Sequence, residues 1–567
     1  MFDAPSAKAT RCCVLLATAQ LLAACGGGGG PSNLNPTPNN PGPTPTTITV
    51  SGKITFDRVP FKTLPNRGLN PSAPIESPAR GVVVEAISGT SVLASTVTNA
   101  TGDYSLTVSS NTQMFIRAKA QMSKSDAAPT WDFKVLNNTN GDALYVLDGS
   151  TFGSGTSNIT RNLRAASGWG TTSYTSDAAR AAAPFAILDT IYRAKELILT
   201  ASTSATFPAL NVYWSPTNKP TEDDFCIETG DIGVTFYTAG GADEGECNGQ
   251  IPAGMYVLGD FAQGDTDEFD QHVLAHEFGH YVEDKFSRSD SIGGEHGTGD
   301  KLDLRVAFGE GWGNAFSAMV LNDPIYRDSY SGANNDFSIN LEADDTVGGE
   351  GWFSEASAGE ILWDAFDATN ESGDTLTLGF APIFAAVAGE QRTTLALTSI
   401  YSFLEALEAA APSSGAGIAQ LRSGEQINAD DDFATDESNN GGDTSVLPIY
   451  RPISLGTPQT VCVSAQFGPA NKLGFIKFFR WDVQQNTLAT IQVNGVANGG
   501  TTTAAIDPDV YVHRQGQIVA AGTSEVTSSE IISQQSFQSG TYVIELFDFK
   551  LTSGSRCMTI SISGTTT

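Results

Sequence analysis

Basic residues are scarce in this chain of 567 residues. It carries 31 Lys and Arg against 63 Asp and Glu, which gives a formal net charge of −32 at pH 7. A surface of this charge repels the phosphates of nucleic acids and the headgroups of anionic lipids. The deficit excludes nucleic acid as an expected partner. A solvated acidic surface is the simplest interpretation of the excess carboxylates.

Long apolar runs are also lacking, and no segment of the sequence has the length that a permanent membrane span requires. The N-terminus has a basic start, Lys8 and Arg11, and then a short apolar stretch at residues 14–23, which is typical of a targeting segment. The stretch ends in Leu22-Ala23-Ala24-Cys25, followed by five glycines. This ending resembles the lipobox of bacterial lipoproteins.

The lipobox resemblance implies that residues 1–24 are a signal peptide and that Cys25 is acylated after cleavage. An acylated Cys25 would anchor an exported protein to a membrane without a spanning helix. We therefore expect a lipoprotein of the bacterial outer membrane, exposed to the periplasm or at the cell surface. An ordinary secretory signal that is cleaved nearby is the alternative.

Cysteine is limited to seven residues, and three of them belong to the signal segment. An even number of cysteines in the remainder of an exported chain indicates disulfides. The four remaining cysteines predict the pairs Cys226–Cys247 and Cys462–Cys557. Their spacing is far from the short CxxC pattern of structural zinc sites, so a zinc site built from cysteines is not expected.

Histidine is rarer still, with five in the chain, and three of them stand at positions 272, 276 and 280. The apolar residues that follow one another at helical spacing here predict a helix with a buried face: Leu274, Phe278, Tyr281 and Val282. Residues four apart lie one above the other on a helix. His276 and His280 can therefore bind one metal ion, and Glu277 can reach a water on that ion. This HExxH pattern is typical of zinc hydrolases.

Two further expectations concern the same helix. His272 also pairs with His276 at four residues, but Val273 follows it and cannot act as a base, so we expect His272 to be a neighbour of the site or to face solvent. Asp265, Thr266 and Asp267, just before the helix, are N-cap candidates, and Glu268 and Asp270 favour its positive end. A surface helix with fortuitously spaced histidines is the alternative to a metal site.

The third protein ligand decides the subclass of such a site. Metzincins place a histidine six residues after the second one, and here that position is Phe286. The next candidate is Glu310, a lone carboxylate among glycines at the start of a predicted helix over residues 307–318. This arrangement resembles the gluzincin peptidases, in which a Glu on a following helix completes the site. The resemblance implies one Zn²⁺ bound by His276, His280 and Glu310.

Asn314, one helical turn after Glu310, is expected to hydrogen-bond a ligand histidine, although gluzincins often have Asp there. His296 is the serious rival to Glu310 as third ligand, and Glu295, Asp300 and Asp303 are weaker ones. Gluzincins usually add a His or Tyr that binds the oxyanion. The spacing leaves Tyr326, Tyr330 and His296 open for this role.

Composition and pattern divide the chain further. Residues 25–48 are a Gly- and Pro-rich tether. Residues 49–122 contain short strands and resemble the carboxypeptidase regulatory-like domain, with a TxxxGxY turn at 98–104. Residues 123–175 are an unassigned connecting segment. Residues 176–445 would form the catalytic domain, with Met255–Gly259 as the strand that pairs with substrate and with a solvated acidic linker at 430–443.

Residues 453–567 resemble the bacterial pre-peptidase C-terminal domain, on the segments 507–512 and 540–545; that resemblance implies a domain that binds substrate or is removed on maturation. The fold class expected for the whole is multidomain, with an α+β zincin-like catalytic domain between N- and C-terminal β-sandwiches. The expected function is hydrolysis of peptide bonds in protein or peptide substrates, through a zinc-activated water and Glu277 as general base. The alternatives are an inactive surface adhesion or binding lipoprotein with a structural zinc site, and a zinc hydrolase of non-peptide substrates.

Overall fold

The computed structural model describes residues 46–63, 67–221, 225–241, 247, 249–262, 265–330, 335–343, 348–368, 375–497, 501–525 and 527–566. The predicted signal peptide, the tether and the predicted acylation site Cys25 lie outside these residues. Within the described ranges, no helix combines the length and the apolar character that a membrane crossing requires.

The first part of the chain is built from strands. Their bounds are β1 (Thr47–Arg58), β2 (Ile75–Pro78), β3 (Val82–Ser88), β4 (Ser91–Val97), β5 (Asp103–Ser109), β6 (Gln113–Lys124), β7 (Trp131–Asn137), β8 (Ala143–Leu144), β9 (Val146–Asp148), β10 (Phe152–Gly153), β11 (Ile159–Thr160) and β12 (Leu163–Ala165). Alternation of apolar and polar residues explains why such segments form strands with one buried face. On β5, Tyr104, Leu106 and Val108 are all buried, while the residues between them are exposed.

Helices dominate the middle of the chain. The elements are α1 (Ala183–Ala201), β13 (Leu210–Trp214), β14 (Phe236–Thr238), β15 (Gly254–Val257), α2 (Gln271–Phe286), α3 (Leu304–Leu321), β16 (Ile325–Tyr330), β17 (Asn335–Asn340), α4 (Glu355–Phe366), α5 (Phe380–Ala388), α6 (Glu390–Thr393), α7 (Ile400–Ala410) and α8 (Gly415–Gly424). The predicted metal-binding motif lies on α2, and the predicted third ligand lies on α3.

The last part returns to strands: β18 (Tyr450–Pro452), β19 (Gln459–Ser464), β20 (Lys477–Val483), β21 (Thr487–Val496), β22 (Pro508–Arg514), β23 (Gln517–Gly522), β24 (Ser529–Phe537), β25 (Gly540–Asp548) and β26 (Ser555–Thr566). They form a five-stranded sheet, β18-β20-β25-β22-β23, and a four-stranded sheet, β19-β26-β21-β24. Residues of both sheets share one hydrophobic core that is separate from the rest, with Val463, Phe479 and Ile544 fully buried.

A single sheet runs from the N-terminal strands to the helical region, in the order β14-β15-β13-β7-β6-β3-β4. The domain boundary predicted at residue 122 lies inside β6, and the unassigned segment 123–175 supplies β7, the parallel neighbour of β13. One core cluster contains residues from β1 through the helices. The N-terminal strands and the helical region are therefore packed as one body. The sequence did not predict this, because pairing between strands that are far apart in the chain leaves no local signal.

Two predicted features of the sequence have clear outcomes in the fold. Both disulfides are formed, with Cα–Cα distances of 5.5 Å for Cys226–Cys247 and 3.9 Å for Cys462–Cys557. The acidic stretch at 430–443 is not a solvated linker, because Glu437 is buried and accepts hydrogen bonds from Tyr401 and from several backbone and amide groups of its own stretch. The fold as a whole is a β-rich, multidomain α+β structure.

Candidate metal centre

The site lies where α2 and α3 pack against each other. The four apolar residues that predicted the buried face of α2, Leu274, Phe278, Tyr281 and Val282, all have no exposed surface. Trp312 on α3 donates its indole N–H to the carbonyl of Gly279 on α2, over 2.9 Å. This hydrogen bond and the shared apolar contacts fix the two helices side by side.

Glycines allow the close approach of α3 to its neighbours. A Cβ atom at Gly313 would lie 2.6 Å from the ring of His276, and one at Gly311 would lie 2.5 Å from the Cβ of Ala358 on α4. Real Cβ atoms do not reach such distances. The glycine-rich pattern around Glu310 therefore lets one helix lie against an imidazole on one side and against a third helix on the other.

Three predicted ligand atoms converge in this space. The Nε2 atoms of His276 and His280 lie 3.0 Å apart. Glu310 Oε2 lies 3.3 Å from His276 Nε2 and 3.7 Å from His280 Nε2. Among the described residues, these three side chains form one of two groups whose possible metal ligand atoms all lie within 4.8 Å of one another.

Each imidazole is oriented by a second residue. Asn314 Oδ1 lies 3.0 Å from His276 Nδ1, the contact that its spacing from Glu310 predicted. Glu283 Oε2 lies 3.9 Å from His280 Nδ1, and the spacing of three residues along α2 would have revealed this partner in the sequence. With the Nδ1 atoms facing these oxygens, both Nε2 atoms are directed toward Glu310.

The distances fit a tetrahedral zinc ion. Ligands about 2.0–2.1 Å from such an ion lie roughly 3.3 Å from one another. The measured separations of 3.0, 3.3 and 3.7 Å bracket this value. The donor set of two imidazoles and one carboxylate is that of catalytic zinc sites. The side chains of His280 and Glu310 are 21% and 12% exposed, so solvent reaches the centre.

Histidine side chains around Glu310 favour the ionised form of its carboxyl. Burial opposes ionisation of this carboxyl, but the charge of His280 and hydrogen bonds with His276 and His296 outweigh it and hold its pKa well below the usual range. Glu277 behaves in the opposite way, since burial raises the pKa of its carboxyl against the pull of the two imidazoles. The two neighbouring carboxylates are thus suited to different tasks.

Glu277 also contacts the edge of the central sheet. Its Oε2 accepts a hydrogen bond of 2.7 Å from the backbone N–H of Tyr237 on β14. The strand predicted to pair with substrate, Met255–Gly259, has no free edge, because β15 is hydrogen-bonded to β13 on one side and to β14 on the other. The edge strand at this end of the described sheet is β14.

His296 lies next to Glu310 and does not join the ligand group. Its Nε2 is 3.3 Å from Glu310 Oε2 and 3.5 Å from Glu355 Oε2. Burial lowers the pKa of His296, but the two carboxylates outweigh it and raise the pKa to about 9. Glu355, at the start of α4, is a site residue that the sequence did not indicate, since no spacing links it to α2 or α3.

The weaker rivals have other roles. Asp303 caps α3, accepting from the backbone N–H of Arg305 over 3.0 Å. Asp300 accepts from the N–H of Gly297 and lies 3.4 Å from Lys472 Nζ. The carbonyl of Glu295 accepts from the same lysine. None of these three belongs to the group formed by His276, His280 and Glu310.

Of the two tyrosines considered for the oxyanion, the structure brings Tyr326 to the site. Its ring centroid lies 5.9 Å from that of His276. Tyr330 lies at the exposed end of β16, 44% accessible, and no hydrogen bond or ring contact joins it to the metal centre among the described residues. His272 is buried, bound to Ser317 Oγ at 3.1 Å, and does not face solvent.

Comparisons with known proteins add little. No protein-family model matches the chain, and no curated protein matches it. The solved structures that it resembles include the pre-peptidase C-terminal domain of a collagenase from Bacillus anthracis, at 12% identity over 20% of this chain and 94% of that domain, with a TM-score of 0.15. A second is PliG of Aeromonas hydrophila, a periplasmic inhibitor of g-type lysozyme, at 8% identity over 20% of this chain and 96% of that protein, with a TM-score of 0.14. A third is a 9R-lipoxygenase from Cyanothece PCC8801, at 12% identity over 23% of this chain and 18% of that protein, with a TM-score of 0.11. Similarity at these TM-scores identifies neither a fold nor a function.

Proposed function

We propose that this chain is a zinc-dependent peptidase in which His276, His280 and Glu310 hold one Zn²⁺. The observation that carries the proposal is the convergence of the two histidine Nε2 atoms and one Glu310 oxygen at separations of 3.0–3.7 Å. A second carboxylate, Glu277, lies on α2 next to His276. A structural zinc site has no use for that second carboxylate and leaves no position open to solvent.

Glu277 is the residue that moves protons in this proposal. Zinc supplies two effects when bound, lowering the pKa of a coordinated water and polarising the scissile carbonyl. Glu277 stands next to His276 on α2, and the N–H of Tyr237 fixes one of its carboxylate oxygens. The other oxygen can take a proton from the attacking water and deliver it to the leaving amine.

The neighbouring elements suit an extended peptide. The edge strand β14 lies beside Glu277, and an extended substrate can add to such an edge through backbone hydrogen bonds, which requires little of its sequence. The ring of Tyr326 lies near His276, and His296 lies near Glu310. We assign them to stabilisation of the oxyanion, in place of Tyr330.

The wider proposal follows the sequence. The helical region, together with the central sheet that includes β3, β4, β6 and β7, would be a zincin-like catalytic domain, and the strands after it would be a β-sandwich module of the pre-peptidase C-terminal type. Two disulfides are those of an extracellular or periplasmic protein. We further propose that the chain is anchored to the membrane through a lipid on Cys25.

A pair of substitutions tests the ligand assignment. We expect Glu310→Ala to lose its zinc on dialysis, because two imidazoles alone do not complete a zinc site, whereas His296→Ala will keep about one zinc per chain. Elemental analysis gives the metal content, and casein digestion gives the activity. If His296→Ala loses zinc while Glu310→Ala keeps it, the two residues exchange roles. If neither the native chain nor any variant binds zinc, the peptidase proposal is wrong.

The glycine next to His276 gives a test that touches no ligand. We expect Gly313→Ala to lower zinc affinity by about 10- to 100-fold, because its Cβ would displace the His276 ring. Gly309→Ala is the matched control on the same helix, since its Cβ would meet nothing closer than 3.6 Å. Competition with a zinc-binding dye measures both affinities. Equal affinity in the two variants would show that α3 does not set the position of His276.

A further inference from the structure

The segment that leads into α2 carries a second set of converging carboxylates. Asp265, Asp267 and Asp270 precede the helix, and Asp328 on β16 lies against them. Each offers an oxygen, and these oxygens all lie within 4.8 Å of one another. The N-cap role predicted for Asp265, Thr266 and Asp267 is wrong, because α2 begins at Gln271 and Asp270 is its N-cap residue.

Two of these carboxylates are buried, and three of the four have an oxygen that no donor reaches. Asp267 is 3% exposed and Asp270 is 0% exposed. One oxygen of Asp267 accepts from Thr235 Oγ1, and one oxygen of Asp270 accepts from Ser329 N over 2.7 Å. The other oxygen of each, and Oδ1 of Asp328, accept from no N–H or O–H donor among the described residues, and the carboxyls of Asp265 and Asp267 lie close enough to share a proton. Leaving such an oxygen buried and unpaired costs about 1–3 kcal/mol or more.

No basic side chain in the described part of the chain lies within ion-pair distance of the four carboxylates, although Lys and Arg form ion pairs elsewhere in it. The neighbouring acid Glu268 shows the contrast, since it is equally buried and is paired with Arg180. Four acids brought together without a cationic side chain need either shared protons or a metal cation.

We propose that Asp265, Asp267, Asp270 and Asp328 bind a Ca²⁺ ion. Oxygen-only donors select hard cations, and Ca²⁺ takes carboxylates in flexible geometry. Oxygens on opposite sides of Ca²⁺ lie about 4.8 Å apart, at about 2.4 Å each from the ion, and no two of the proposed ligand oxygens are farther apart than this. Mg²⁺ demands a tighter octahedron and retains its waters, so it fits this set less well.

The position of the site indicates which elements a bound ion would hold together. Asp270 directly precedes α2, and Asp328 shares one face of β16 with Tyr326, which contacts His276. Thr235, the hydroxyl donor to Asp267, also accepts from Leu258 N and directly precedes β14. The ion would thus fix the start of the HExxH helix, the β16 hairpin and the edge strand relative to one another. The proposal stands whether or not the neighbouring centre is catalytic.

Calcium content and thermal unfolding of the full chain test the proposal. We expect about one calcium per chain, and a rise of about 5–10 °C in the unfolding midpoint when 1 mM Ca²⁺ is added to metal-free protein. Mg²⁺ will give a much smaller rise. Asp267→Asn, which keeps the acceptor for Thr235, will lose the response to Ca²⁺. The control Asp430→Asn, at a side chain that is 75% exposed, will keep it.

Three outcomes would overturn the proposal. The first is an unfolding midpoint of the native chain that does not respond to Ca²⁺, which would mean that the carboxylates share protons. The second is an equal response in Asp267→Asn, and the third is an equal response to Mg²⁺. If Asp267→Asn fails to fold, Tb³⁺ provides the test on the native chain, since Tb³⁺ in this site would be sensitised by Tyr326 and displaced by Ca²⁺. Sensitised emission that Ca²⁺ leaves unchanged would equally contradict the site.

The zinc and calcium proposals can be tested independently of each other. Glu310→Ala should lose zinc and keep calcium, and Asp267→Asn should lose calcium and keep zinc. A chain that binds calcium but no zinc would remove the proposed peptidase function and leave the calcium site in place.

Discussion

Replacing Glu277 with glutamine will lower hydrolysis of casein by about 100- to 10,000-fold, with the zinc content unchanged. Glutamine has the same shape and still offers an oxygen to the N–H of Tyr237, so the geometry of α2 and β14 is kept. It cannot take a proton from water. The loss should appear in kcat and not in KM, because the missing proton transfer belongs to the transition state.

A neighbouring carboxylate provides the control for this variant. Asp284 lies on the same helix and accepts from the hydroxyl of Tyr237, the residue whose N–H binds Glu277. Asp284→Asn should change the rate by less than about threefold, since it faces no reacting atom. Normal casein cleavage by Glu277→Gln would show that another group is the base.

The second large effect concerns the contact between α3 and the C-terminal strands. Arg305, five residues before Glu310, is 2% exposed and lies 2.9 Å from both Asp303 and Glu545. Glu545 also accepts from His513 over 2.9 Å. Burial opposes ionisation of Glu545, but Arg305 and His513 outweigh it and lower its pKa to about 2. Glu545→Gln should therefore cost about 3–5 kcal/mol in the free energy of unfolding at pH 7.

The pH dependence of this cost has a definite sign. A carboxyl whose pKa is lower in the folded protein stabilises it above its unfolded pKa, 4.5 here, and loses that effect as the pH falls toward 2. The difference between the native chain and Glu545→Gln should shrink over this window. Urea unfolding measures it, with Asp482→Asn in an exposed pair as the control, where less than about 1 kcal/mol is expected. A difference that is constant from pH 6 to pH 2 would contradict the assignment.

This contact also bears on the C-terminal region, for which removal on maturation was one expectation. Residues 471–473 bind both sides of the loop that holds His296. Asn471 donates to the carbonyl of Gly293 over 2.9 Å, and Leu473 N donates to the carbonyl of Lys301 over 2.8 Å. Together with the Arg305–Glu545 pair, these bonds make the C-terminal strands a support of the loop and of α3. We expect the region to remain with the folded protein.

Local patterns predicted the elements of the site well. Periodic apolar residues predicted α2 and α3, and the four-residue spacing of His276 and His280 predicted that their side chains lie on the same face of α2. The spacing of Asn314 from Glu310 likewise predicted its contact with His276. These features follow from the geometry of single helices, which the sequence specifies directly.

What the sequence could not predict depends on contacts between distant segments. Glu355 reaches His296 from a helix that begins about 45 residues after Glu310, and Asp328 reaches Asp270 from a hairpin with no clear alternation. The pairing of β7 with β13 joins the unassigned segment 123–175 to the predicted catalytic domain. The acids before α2 matched the pattern of helix caps, but a short turn at Asp267–Phe269 delays the helix and directs their side chains inward.

Removal and return of zinc test the central claim most directly. Metal is stripped from the purified chain with a chelator, Ca²⁺ is restored, and casein hydrolysis is measured while Zn²⁺ is added. The account predicts no hydrolysis without zinc and recovery in proportion to added zinc, complete at about one ion per chain, with no recovery in Glu277→Gln. Hydrolysis that persists without metal, or a chain fully loaded with zinc that cleaves no protein or peptide, would contradict it.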